Sequence, residues 1–187
     1  MFTEKKSCLK MKQLYFKVLI LLLFIISSCL NIACSYNNVR EDIIRYDQQY
    51  QTIPEWDELN NLQQTVSDNL SLNTYDIYGL EKSLINLVET RDKIIEKLNI
   101  MQVPDILKTF HENKLNQLIY RNQADTLLLE DFRYNLLTNN YDNEKSKKVL
   151  EEIKEIRNKS ENYFLQADKL RKEIYNKYDL NEMQLKY

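Results

Sequence analysis

Apolar residues recur at intervals of three and four along almost the whole chain from residue 38 onward. Such spacing places them on one face of an α-helix, so it predicts a series of amphipathic helices. The positions expected to face inward on the first three are Val39, Ile43, Tyr46, Tyr50 and Ile53; Trp56, Leu59, Leu62, Val66 and Leu70; and Ile77, Leu80, Leu84, Leu87, Ile94 and Leu98. On the last two they are Leu107, Phe110, Leu115, Leu118, Leu129, Phe132 and Leu136; and Ser146, Val149, Ile153, Ile156, Ser160, Tyr163, Ala167, Leu170 and Ile174.

Local signals place the boundaries between these helices. Thr52 and Glu55 have the spacing of a capping box, with a proline between them that suits a first helical turn. This pattern leaves open whether the first two helices are separate or form one kinked rod. Residues 72–74 predict a turn that ends in an N-cap, and residues 138–143 predict a loop. Pro104 predicts the end of the third helix before it and the start of the fourth.

The chain contains only one glycine and two prolines, which is too few for a sheet with tight turns. The fourth and fifth helices are each expected to span about 35 residues, or roughly 50 Å. The loop between them is short, so they should pack as antiparallel neighbours. Residues 38–187 therefore predict one all-α domain, an elongated up-and-down bundle of four to five helices with a long C-terminal hairpin.

The N-terminal segment carries a different pattern. Lys12 and Lys17 precede nine uninterrupted apolar residues, 18–26. This run is too short to cross a bilayer and has the length of the apolar core of a secretory signal. The segment closes with Ile26, Ser27, Ser28 and Cys29. This ending resembles the lipobox of bacterial lipoproteins, an aliphatic residue, two small residues and a cysteine. The resemblance implies a signal peptide over residues 1–28 and fatty acids, such as palmitate, on Cys29.

Several alternatives exist at this end of the chain. Cys34 also follows a small residue, but Asn31 stands where a lipobox has an aliphatic side chain, so Cys29 is preferred. Met11 is a candidate true start, because it stands directly before the basic region. An uncleaved transmembrane anchor is the other interpretation of the apolar run. In the preferred one, residues 29–37 form a tether between the lipid and the helical domain.

Charge and composition exclude several classes of function. Residues 29–187 contain 21 basic and 27 acidic side chains, a net charge of about −6, which disfavours nucleic acid as a partner. A single glycine excludes the glycine-rich phosphate cradles, and a single histidine excludes zinc sites built on paired histidines. We therefore expect no cofactor and no metal ion. All three cysteines lie within residues 8–34, so the helical domain has no disulfide.

Two features in the helical domain are candidates for chemistry. His111 falls near the inward stripe of the fourth helix, where it is either a pH-sensitive switch or, as we prefer, a packed histidine that hydrogen-bonds across helices. The acidic pairs Glu130-Asp131 and Glu151-Glu152 are candidates for a cation or for acid–base chemistry. Adjacent helical residues point about 100° apart, so neither pair converges by itself, and solvated surface is the preferred interpretation.

Tyr46, Tyr50 and Trp56 are a third candidate, an aromatic platform for a glycan or peptide, because they have helical spacing beside Pro54. Aromatic residues on an amphipathic stripe more often belong to the core, and we prefer that interpretation.

The function expected from these observations is non-enzymatic. The chain is predicted to be held on the outer face of a bacterial cell membrane by lipidated Cys29 and to bind a protein or another envelope component. An alternative is a structural homo-oligomer of coiled-coil type, in which the stripe of the last helix pairs between chains. An envelope hydrolase that uses carboxylates alone is the least favoured.

Overall fold

The computed structural model describes residues 35–71, 77–138 and 143–180. All regular structure in these ranges is helical, which confirms the predicted all-α class. Helix α1 is described over residues 35–51, and the helices after it are α2 (Glu55–Ser71), α3 (Ile77–Asn99), a 3-10 turn (Asp105–Leu107), α4 (Lys108–Thr138) and α5 (Asn143–Lys177).

Helices α1 and α2 are separate, because residues 52–54 leave the helical conformation. Thr52 and Glu55 do not form the predicted capping box, because their side chains bind other groups. The Thr52 hydroxyl donates a hydrogen bond back to the carbonyl of Gln49 at 3.0 Å, and the Glu55 carboxylate is bound by Lys97 of α3. Thr52 therefore closes the end of α1, and Glu55 ties the start of α2 to the end of α3.

Helices α2 to α5 pack in turn as antiparallel neighbours. Arg133 of α4 donates to Glu81 of α3 at 2.7 Å, whereas the other end of α4 meets the C-terminal end of α3. Ser160 of α5 donates to the carbonyl of Gln117 at 2.8 Å. Helix α4 thus lies between α3 and α5, and the predicted C-terminal hairpin is confirmed.

The core follows the predicted stripes over most of their length. On α3, five positions of the stripe are buried, and so is Arg91, the one position that breaks its apolar pattern; the five are Leu80, Leu84, Leu87, Ile94 and Leu98. Leu70 and Leu136 were predicted to face inward and are exposed at 44% and 36%. Both lie in the last turn of their helix, where fewer neighbouring turns are available to cover a side chain.

Residues 43–180 belong to one compact unit, and residues 35–42 are grouped with the N-terminal part of the chain. Residues 35–37, the last three of the predicted tether, are helical. Residues 1–34, which include the predicted signal and Cys29, lie outside the described residues. So do residues 72–76, which contain the turn predicted at 72–74, and residues 139–142, which are most of the loop predicted at 138–143. No helix in the described ranges is both long enough and apolar enough to span a bilayer.

Candidate functional site

The three aromatic candidates are core residues. Tyr46, Tyr50 and Trp56 are each exposed by 1% or less. The rings of Tyr50 and Trp56 are 5.1 Å apart between centroids, and the Trp56 indole N–H donates to the Tyr50 carbonyl at 2.8 Å. This cluster fixes the turn between α1 and α2, and it leaves no aromatic face open for a ligand.

His111 is packed in the way that the preferred interpretation described. The Tyr46 hydroxyl lies 2.8 Å from His111 Nδ1, and the backbone of Leu98 also hydrogen-bonds the ring. Because a carbonyl can only accept, a neutral ring that donates to Leu98 and accepts from Tyr46 satisfies both contacts. Burial lowers the pKa of His111 below its ordinary value, which favours this neutral form. His111 therefore joins α1, α3 and α4.

A second set of buried polar groups lies near this histidine. Asp47 of α1 is 4% exposed, and burial raises its pKa to about 6, although the charge of Arg171 opposes the rise. Lys114 of α4 is 5% exposed, and burial lowers its pKa to about 8. Its ammonium group donates to Gln117 at 2.8 Å and lies over the Phe164 ring.

The members of the two acidic pairs have different surroundings. Asp131 accepts hydrogen bonds from Asn135 at 3.1 Å and from Ser146 at 3.2 Å, so it ties α4 to α5. Glu130 and Glu152 instead line the same surface groove. The two carboxylates of each pair do not point to one site, as predicted, but one carboxylate from each pair lines the same groove.

This groove lies along α4 between α3 and α5 and encloses about 490 Å³. We call Asp92, Glu130 and Glu152 the rim carboxylates; each lies on a different helix and is exposed. Four aliphatic residues, here called the floor, supply its apolar lining: Ile95, Ile119, Leu127 and Ile156. Asn122, Gln123 and Thr126 of α4 complete it.

A buried charge network links the same three helices. Arg91 of α3 is fully buried and donates to Asp125 of α4 at 2.8 Å. Asp125 is 3% exposed and also accepts a hydrogen bond from Arg157 of α5 at 3.2 Å. Since one carboxylate serves two guanidinium groups, the network holds the relative positions of α3, α4 and α5.

Asn122 connects this network to the groove. Its side-chain oxygen accepts from Arg91 at 3.3 Å, and its NH₂ group donates to the rim carboxylate Asp92 at 2.6 Å. Partial burial raises the pKa of Asp92, the nearby Glu96 raises it further, and only Arg91 opposes them. The groove therefore carries carboxylates at its rim, and Asn122 holds one of them, Asp92, in place.

The arrangement is suited to binding. An apolar floor with carboxylates around it accepts a ligand that has both an apolar surface and positive charge. Among the described residues, no group of three or more His, Cys, Asp or Glu side chains has the arrangement of a metal site.

Sequence reasoning missed both the network and the groove, although each left a signal. Arg91 occupies a position of the α3 stripe, and a charge there predicts a buried partner on a neighbouring helix. Ile95 and Ile119 directly follow the stripe residues Ile94 and Leu118. Apolar residues beside a stripe indicate that a helix has a second apolar face, here the floor of the groove.

No known protein family, curated protein or solved structure matches this chain.

Proposed function

We propose that this protein is a lipid-anchored bacterial envelope protein that acts by binding another envelope component, without catalysis. The sequence Ile26-Ser27-Ser28-Cys29 supports the anchor, because it has the composition and order of a lipobox after a basic and apolar signal. The acylated Cys29 would hold the chain at the membrane, on the side away from the cytoplasm. The helical domain would then present its binding face there.

The observation that carries the binding role is the groove. It combines an apolar floor with carboxylates from three helices, and the network of Arg91, Asp125 and Arg157 fixes these helices relative to one another. Preformed surfaces of this kind lose little entropy on binding, so they favour recognition.

The homo-oligomer alternative depends on the stripe of α5. Ser146, Ile153, Ser160 and Ala167 of this stripe are buried within the chain, where α5 packs on α4. Pairing between chains through the same stripe would require the C-terminal hairpin to open. A mass measured by light scattering separates the two, since the binding role predicts a monomer at micromolar concentration and the alternative predicts a larger species.

Photo-crosslinking in intact cells tests the proposed function. A photoreactive amino acid replaces Gln123 in the groove or, as a matched control, Lys154 on the outer face of α5. We expect a discrete adduct from position 123, none from position 154, and loss of the adduct when Cys29→Ala prevents anchoring. The proposal fails if positions across all faces of the domain give no adduct in cells.

A further inference from the structure

Among the described residues, the charge of Arg91 acts on Asp92, but no rim carboxylate forms an ion pair with a lysine or arginine. Asp92 is held by an amide, and Glu130 and Glu152 are exposed at the groove's edge. Three carboxylates around an apolar floor therefore present negative charge that no ion pair of the described residues neutralises, and a cationic ligand complements it.

We propose that the groove binds a basic amphipathic helix of a partner protein, with Lys or Arg side chains on the rim carboxylates and aliphatic side chains on the floor. This inference rests on the proposed function and specifies the chemistry of the partner.

The spacing of the acids favours a helix over a small amine. Asp92 accepts a hydrogen bond from Asn122, so it lies at the level of Asn122 along α4. Glu130 lies eight residues after Asn122 on the same helix. At 1.5 Å per residue the two levels are about 12 Å apart, which is roughly two helical turns. Basic residues at positions i, i+4 and i+7 of a partner helix lie on one face and cover about this distance.

The floor favours the same occupant. Its four branched aliphatic side chains come from three helices and have to be covered by apolar groups of similar width. A linear polyamine supplies charge but no branched side chains. A second copy of this chain brings a net charge of about −6 in residues 29–187, so like charges would meet at the rim.

The test uses the full chain in nanodiscs of phosphatidylcholine and a synthetic helical peptide with leucine on one face and lysine on the other. A diazirine on one leucine of the peptide reports the contact site by mass spectrometry. A second peptide has glutamate at every lysine position. We expect the basic peptide to crosslink around Gln123 and Leu127 and to bind at least about tenfold more tightly than the acidic one.

Two isosteric variants separate the rim from general charge attraction. The rim variant carries Asp92→Asn, Glu130→Gln and Glu152→Gln, and the control variant carries Glu89→Gln, Glu151→Gln and Glu155→Gln, three exposed acids that do not line the groove. Both lose three charges. The rim variant should bind the basic peptide about tenfold more weakly, because it loses three exposed ion pairs that each contribute modestly to affinity. The control should stay within about twofold.

A third variant, Gln123→Trp, fills the groove and should also weaken binding. Circular dichroism checks that helicity is kept in every variant.

Equal losses of affinity in the rim and control variants would overturn the inference. So would equal binding of the two peptides, crosslinks outside the groove, or crosslinks between two copies of the chain. If the peptide fails but position 123 still captures a component in cells, the inference falls and the proposed function stands. If no face captures anything in cells, the proposed function falls as well.

Discussion

Single side chains decide how α3, α4 and α5 are held together. Arg91 is fully buried, and its Nη1 atom donates to both Asp125 and Asn122. A buried guanidinium of this kind is tolerated only while its counterion is present, because the desolvation of an unpaired charge is costly. Asp125 therefore has more influence on the stability of the domain than its size suggests.

Removal of Asp125 should be among the most damaging changes of one side chain. Asp125→Ala leaves Arg91 buried without its counterion, and we expect a loss of about 3 to 5 kcal/mol in the free energy of unfolding. Glu151→Ala, an exposed control on α5, should change it by no more than about 0.5 kcal/mol. Urea unfolding followed by circular dichroism measures both, and similar values for the two would show that the network does not contribute.

Asp47 gives the domain a dependence on pH. Its pKa rises from 3.8 to about 6 in the fold, mainly through burial, so the folded state binds a proton more tightly than the unfolded state does. Its contribution to stability is fully present below about pH 4 and is lost as the pH rises through about 6. Two pKa units correspond to roughly 3 kcal/mol.

The variant Asp47→Asn removes this titration. The stability of the natural chain relative to Asp47→Asn should therefore fall between about pH 4 and pH 7 and then become constant. Urea unfolding of both proteins across this range measures the difference. A difference that does not change with pH would mean that Asp47 keeps an ordinary pKa in the fold.

At the scale of the helix, the sequence was a good guide where one apolar stripe faces one neighbour. Helix α5 is such a case, because its stripe packs along α4. The sequence predicted its stripe, including Ser146 and Ser160, which are both buried. Helix α4 lies between two helices, and its second row of apolar positions, Ile119 and Leu127, was not distinguished from the first.

Other differences arise where tertiary contacts outweigh local signals. Thr52 and Glu55 have the spacing of a capping box, yet the Glu55 carboxylate accepts its hydrogen bonds from Lys97 of another helix. Glu130 and Glu152 were predicted as separate solvated residues, and only the packing of α4 on α5 brings them to one groove. A periodic pattern within one helix contains no information about which residues of two helices meet.

Helix α5 provides a matched comparison of its two faces. Ile153 is 4% exposed, and Ile153→Ala should lower the free energy of unfolding by at least about 2 kcal/mol. Leu170 is half-buried, so Leu170→Ala should cost less than Ile153→Ala. Lys154→Ala and Lys172→Ala on the exposed face should each stay within about 0.5 kcal/mol, although Lys172 pairs with Asp168 at 2.8 Å. Comparable losses in all four variants, measured by urea unfolding, would show that the stripe is not the buried face.

At the scale of the whole molecule, the proposed function requires both the predicted N-terminal signal and the groove of the helical domain. In the proposed function, the helical domain would bind the partner, and acylation directed by the predicted signal would determine where this binding takes place. A single acyl chain holds a protein only marginally at a membrane, whereas further chains add about 0.8 kcal/mol per buried CH₂ group and make attachment stable. The proposed function therefore depends on acylation of Cys29, since an unanchored domain would leave the surface at which its partner is expected.

Fatty-acid labelling of the protein in growing bacteria tests this claim most directly. Cells that express the natural chain, Cys29→Ala or Cys34→Ala are fed an alkyne-bearing palmitate, and the protein is recovered and examined for label and mass. We expect label and the processed mass in the natural chain and in Cys34→Ala, and an unlabelled, unprocessed precursor in Cys29→Ala. Label that persists in Cys29→Ala, or that disappears only in Cys34→Ala, would contradict the anchor on which the account rests.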